Sequence, residues 1–147
     1  MKPKDSKELK VRADLAEIDR VRAFLKRSLA GLTLSEDDGM KVELSLHEIF
    51  VNIALYAYPQ GGGDMALRIW SRDRTLFLEF RDRGVPFDPG NRPSPDLEEN
   101  LRRGHRGGLG IFLFKTLMDG YDYRREGDEN ILTVYKAIAP APASPNQ

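Results

Sequence analysis

Residues 35–59 read SEDDGMKVELSLHEIFVNIALYAYP, and the fold turns on how this stretch must sit. Ser35 suits an N-cap and Asp37 and Asp38 fall in the first turn, where they complement the helix dipole, so the pattern predicts one long helix reaching Pro59. Val42, Leu46, Ile49, Phe50, Ile53 and Ala57 form one apolar face at helical spacing, and Leu44, Val51 and Leu55 carry apolar character to a second side. A helix of this kind is largely buried. Between the two sides runs a narrow stripe of Ser45, Glu48, Asn52 and Tyr56, in which Glu48 and Asn52 stand one turn apart and project together. Polar groups on a buried helix need partners, because an unsatisfied one costs on the order of 1–3 kcal/mol.

Upstream, Leu9, Val11 and Ala13 alternate with charged neighbours as a half-buried strand would. Asp14 can then cap a helix through Leu32, on which Leu15, Ile18, Val21, Leu25 and Leu29 recur at spacings of three and four. Downstream, Gln60 to Gly63 breaks the long helix. Met65, Leu67 and Ile69 alternate, Arg72-Asp73-Arg74 turns, and Leu76, Leu78 and Phe80 alternate again, which reads as a hairpin. From Asp82 to Gly110 the chain is rich in Gly, Pro and Arg, with a short helix possible around Asp96 to Leu101; so long a loop in a compact domain is usually functional or mobile. Leu109, Phe112, Leu113, Thr116 and Leu117 give a helical face, and Tyr121-Tyr123 and Ile131 to Tyr135 give two closing strands across Gly127-Asp128. One domain over residues 7–138 is expected, followed by a Pro/Ala-rich tail at 139–147 that has nothing to bury and should be disordered.

The composition narrows the function classes. A chain of 147 residues fits one core, and such a domain buries roughly 70% of its unfolded surface without help from metals or disulfides. The absence of cysteine removes disulfides, thiolate zinc sites, iron–sulfur clusters and a cysteine nucleophile together. Lys plus Arg and Asp plus Glu each total 23, so no bulk positive field exists to bind nucleic acid or coat an anionic membrane. No apolar run approaches the roughly 20 residues of a membrane helix, and MKPKDSKELK has no apolar core for a signal peptide, so a soluble cytoplasmic protein is expected.

Three segments carry candidate chemistry. The Glu48/Asn52 stripe is either an ordinary solvated or capped edge, or a site in which Asn52 offers an oxygen to Mg²⁺ and Glu48 takes a proton. Asp82 ends a strand in FRDRGVPFDPG. It is either a turn residue, with Gly84 supplying a positive φ, or an acceptor for an exocyclic amine, with Gly84 letting a flat ring approach the backbone. RRGHRGGLG places Gly104, Gly107, Gly108 and Gly110 before a helix, where free N–H groups and the dipole attract phosphate. It lacks the Gly-Lys-Ser/Thr ending of a Walker A loop and the early strand–glycine–helix unit of a dinucleotide fingerprint. Arg102, Arg103, His105 and Arg106 either assist with phosphate or form a solvated basic loop.

In this order, Glu48-x-x-x-Asn52, Asp82-x-Gly84-x-Pro86-Phe87-Asp88-Pro89 and Arg106-Gly107-Gly108-Leu109-Gly110 resemble the GHKL ATP-binding superfamily. The likeness is greatest to the small anti-sigma-factor serine kinases of bacterial partner switches, and it covers the chain from Leu9 to Lys136. It implies an α/β (α+β) two-layer sandwich, with a mixed, mainly antiparallel sheet backed by helices. It implies Glu48 as general base, Asn52 as Mg²⁺ ligand and Asp82 as acceptor for the adenine amino group. Gly84 and Thr133 would lie at the adenine pocket, and Arg106, Gly107, Gly108, Leu109 and Gly110 would serve the phosphates of ATP or ADP beside a lid from about Pro95 to Arg106. The chain departs from the family pattern at Tyr56-Ala57-Tyr58, where many members have His before Ala-Tyr. The implied activity is ATP-dependent phosphorylation of a serine on a small antagonist, with sequestration of a sigma factor or comparable regulator. The implied assembly is a homodimer without nucleic acid or membrane. The alternative is a nucleotide-gated binding module without kinase activity.

Overall fold

In the computed structural model, which describes residues 5–89 and 113–138, the chain runs β1 (Lys7–Arg12), α1 (Ile18–Leu29), α2 (Glu36–Tyr56), β2 (Asp64–Arg72), β3 (Thr75–Asp82), β4 (Gly120–Glu126) and β5 (Glu129–Ala137). Ser35 caps α2 as its chemistry requires, its hydroxyl accepting from Asp38 N–H at 3.0 Å. The helix stops at Tyr56, short of Pro59, because the residue before a proline is pushed out of the helical region. Asp14 caps a 3₁₀ turn at Leu15–Glu17 that leads into α1. α1 ends at Leu29 rather than Leu32, the chain tightening into i→i+3 bonds from Ala30 to Arg27 and from Leu32 to Leu29.

Both hairpins have the turn chemistry their sequences suggest. Asp73 and Arg74 both adopt positive φ (52° and 62°), as a two-residue type I′ turn demands, and Gly127 turns β4 into β5 at φ 60°. The five strands lie in the order β1-β2-β3-β5-β4, and all four described pairings are antiparallel. β5 thus lies between β3 and β4, next to a strand that it follows by a long connection.

The helices cover one face. Val21, Phe24 and Leu25 of α1 and Val42, Leu46, Ile49 and Phe50 of α2 pack on Leu67, Ile69, Leu76, Leu78, Phe80 and Val134. Each large side chain so buried contributes about 1.5–3 kcal/mol. Ser45, expected on the polar stripe, is fully buried with its hydroxyl unpaired, so it belongs to the core. On the opposite face Trp70 stacks on Phe77 at 5.2 Å, and Phe77 meets Tyr135 at 6.0 Å. Beside them a row of alternating charge stitches the strands: Glu8 to Arg68, Arg68 to Glu79 at 3.4 Å, Glu79 to Arg81 at 2.7 Å, and Arg81 to Glu129 at 3.0 Å. Among the described residues no helix is long and apolar enough to cross a membrane. The tail 139–147 and the possible helix at 96–101 lie outside the described residues.

Candidate functional site

The C-terminal half of α2, the end of β3 and the start of β5 converge on one cavity. Its apolar wall is built from Ile49 and Ile53 of α2, Leu132 of β5, Phe87 after β3, and Phe114 in the helical stretch at 113–117. Glu48, Asn52, Asp82, Tyr123 and Asn130 supply the polar groups. Few polar groups on a mainly apolar concave surface is the usual composition of a small-molecule site.

Glu48 and Asn52 come together from one side, as their spacing predicts. Asn52 is only 9% exposed, and neither side chain has a hydrogen-bond or ion-pair partner among the described residues. A buried amide left open toward a cavity is what a ligand site requires and a solvated edge does not.

Asp82 faces them from the strand end, 7% exposed. Its Oδ1 accepts from Gly84 N–H at 2.8 Å and from Asn130 Nδ2 at 2.9 Å, while Oδ2 receives no donor among the described residues. Burial pushes the Asp82 carboxyl above the usual carboxylate range. The Asn130 and Gly84 hydrogen bonds and the Arg125 charge pull it down without cancelling that rise, and Glu129 adds to it. The β3–β5 register sets Asn130 directly opposite Asp82.

Gly84 has a steric role that the sequence reading did not contain. It does not adopt positive φ, and it stands outside the cavity lining. A Cβ there would lie 2.2 Å from the Ala57 carbonyl oxygen, so glycine is what lets the loop close on the end of α2, where Val85 N–H donates to that same oxygen at 2.8 Å. Thr133 is a correction. It pairs in register with Glu79 and Asp122, so it shares the face of the charged row, one residue out of phase with cavity-lining Leu132. The positions that β5 turns to the cavity are Asn130 and Leu132. Arg106, Gly107, Gly108, Leu109 and Gly110, with the expected lid, lie outside the described residues.

Sequence reasoning missed Asn130, Tyr123 and Arg125. Tyr123 OH donates to Asn130 Oδ1 at 2.6 Å and accepts from Phe87 N–H at 3.2 Å, and Arg125 donates to the Gly84 carbonyl at 2.8 Å. At the departure from the family pattern, Tyr56 lines the cavity. Tyr58 instead fastens two loops, accepting from Arg83 N–H at 2.7 Å and donating to the Asp64 carbonyl at 2.6 Å.

The family model described as "Histidine kinase-like ATPase domain" matches residues 11–136. The chain belongs to that family. Among its curated relatives, the serine-protein kinase RsbW of Bacillus cereus (strain AH820) is 27% identical over 122 residues, covering 77% of this chain and 76% of the relative. RsbW of Bacillus thuringiensis (strain Al Hakam) aligns with the same identity and coverage. The solved structure of the RsbU and RsbW domains of Rv1364c from Mycobacterium tuberculosis superposes with a TM-score of 0.64 at 16% identity; it covers 95% of this chain and 34% of the other, and the two share a fold.

Proposed function

We propose that the chain is an ATP-dependent serine protein kinase and anti-sigma factor, which sequesters a sigma factor or similar regulator and phosphorylates a serine of a small antagonist protein. The observation that carries this reading is the pair Glu48 and Asn52, one turn apart and unpartnered among the described residues, at the same cavity as the free oxygen of Asp82. Ile49, Ile53 and Leu132 line the cavity together with Asp82; in this reading they take the faces of a flat base, and its exocyclic amine donates to the Asp82 oxygen that no described residue occupies.

The Asn52 amide oxygen suits Mg²⁺, which is usually held by one or two protein oxygens with phosphates and water completing its shell. Among the described residues no cluster of three or more His, Cys, Asp or Glu offers a rival metal site. When bound, the cation neutralises charge on the transferring phosphoryl group. Glu48 takes the proton from the serine hydroxyl as that oxygen attacks the γ-phosphorus of ATP, and the bond from that phosphorus to the β–γ bridging oxygen breaks to release ADP. Gly107, Gly108 and Gly110, with Leu109 and Arg106, supply N–H groups and charge to the phosphates. The names of the curated relatives support serine as the acceptor and protein as the substrate.

The test is incubation of the full chain with ATP, Mg²⁺ and a small serine-bearing cognate antagonist. Phosphoserine on that protein is the expected result. Sequestration without phosphoserine would instead make the chain a nucleotide-gated binding module. Absence of any thermal shift with ADP and Mg²⁺ would remove the nucleotide site altogether.

A further inference from the structure

Asn130 is 4% exposed, and both ends of its side-chain amide are hydrogen-bonded. Nδ2 donates to Asp82 Oδ1 at 2.9 Å and to the Val85 carbonyl at 2.8 Å, and Oδ1 accepts from Tyr123 OH at 2.6 Å. The polarity of this chain of bonds is forced. Phe87 N–H can only donate, so the Tyr123 oxygen accepts there and keeps its own proton for Asn130 Oδ1, the end of the amide that faces it. Nδ2 faces two groups that accept, a carboxylate and a carbonyl, and these fix which end of the amide is which. A flipped amide would set oxygen against oxygen at both.

Two donors therefore fill Asp82 Oδ1, one from Gly84 and one from Asn130, and Oδ2 alone is left for a ligand. We propose that Asn130, oriented by Tyr123, is a positioning residue that holds Asp82 as a pure hydrogen-bond acceptor with one oxygen presented. It thereby sets the preference for a purine bearing an amino group over one bearing a carbonyl at the same place. This inference rests on the reading of the cavity as an adenine-nucleotide site. Its chemical basis is that a buried carboxylate stripped of its donors takes up a proton, and a carboxylic acid donates to the carbonyl that a carboxylate repels.

The charged and titratable groups around Asp82 are Glu48 on α2, Tyr58 beyond its end, Arg83 after β3, Arg125 on β4 and Glu129 on β5. Tyr56 on α2 and Tyr123 on β4 line the same cavity. Asn130→Leu removes no titratable group from this set and Tyr123→Phe removes only its own phenol, so the two variants together test the amide.

The experiment compares the parent, Asn130→Leu and Tyr123→Phe as full chains, by calorimetry with ADP and with inosine diphosphate from pH 5 to 8. In parallel, the Asp82 side-chain carboxyl is titrated by ¹³C NMR without nucleotide. Asn130→Leu should lower ADP affinity about tenfold or more at neutral pH. It should also narrow the ADP-to-inosine-diphosphate ratio, most at low pH, and raise the Asp82 midpoint. Tyr123→Phe should shift the same quantities the same way by less, and it carries the test if Asn130→Leu does not fold. A pH-independent loss of affinity, with the Asp82 midpoint at its parental value, would overturn the proposal. If the parent binds no ADP, the nucleotide reading fails, and the carboxyl titration still decides whether Asn130 controls Asp82.

Discussion

Asp82→Asn exchanges one oxygen for an NH₂ and leaves the size of the side chain unchanged. Gly84 N–H and Asn130 Nδ2 both donate to Oδ1, at 2.8 and 2.9 Å, and an amide oxygen can keep both bonds. The new NH₂ then takes the place of Oδ2 and meets the amine of a bound adenine donor to donor. A hydrogen bond to a charged acceptor is worth about 1.5–3 kcal/mol, so its loss weakens ADP binding by about 10- to 150-fold. The facing donors add to that. The fold should not suffer, because burial holds the Asp82 carboxyl above its usual range and a neutral amide escapes that cost. Calorimetric titration with ADP and Mg²⁺, beside a thermal melt without nucleotide, reads both quantities. The reasoning is refuted by an affinity within twofold of the parent, or by a melting point that collapses together with the affinity.

Glu48→Gln keeps size and hydrogen bonding but cannot take a proton, so single-turnover phosphoserine formation should fall by about 10²–10⁴-fold while ADP affinity and capture of the target persist. Wild-type transfer would dismiss Glu48 as the base. Asn52→Ala should leave the fold intact and abolish the gain in nucleotide affinity that Mg²⁺ gives the parent, as measured by paired titrations with and without the cation. Gly84→Ala sets a methyl 2.2 Å from the Ala57 oxygen and 2.6 Å from its carbonyl carbon. It should therefore destabilise by about 1–3 kcal/mol in urea, and an unchanged midpoint would show that the loop yields freely. Acidification should weaken ADP binding: the amine needs ionised Asp82, whose folded pKa is raised by burial, so affinity is lost as pH falls through that raised value. Without nucleotide the sign reverses, because a raised carboxyl pKa costs stability as pH rises from its usual value of about 4 through the folded one.

What was legible in the sequence was local. The burial of α2, the projection of Glu48 with Asn52, the cap at Ser35 and both hairpin turns follow from spacings within a turn or two, where chain geometry leaves little choice. Asn130 was not legible, because it meets Asp82 across 48 residues of sequence, and only the insertion of β5 between β3 and β4 joins them. Thr133 fails on parity. In Ile131-Leu132-Thr133-Val134-Tyr135 both Ile131 and Val134 are fully buried, so burial does not alternate and the pattern gives no sign of which face a residue takes. The close approach at Gly84 was not legible, because its constraint comes from a carbonyl at the end of α2, which no local turn rule contains.

The Lys115 ammonium donates to the Pro89 carbonyl at 2.7 Å and lies 5.7 Å from the Tyr121 ring centre, so the chain leaves the described body at 89 and re-enters at 113 beside its own point of departure. That one side chain ties the stretch after β3 to the helical stretch at 113–117, and the two stretches supply Phe87 and Phe114 to the cavity wall. Two aromatic side chains that arrive from distant parts of the sequence are thereby fastened to each other at the rim, so loosening Lys115 should be felt inside the cavity before it is felt in the sheet.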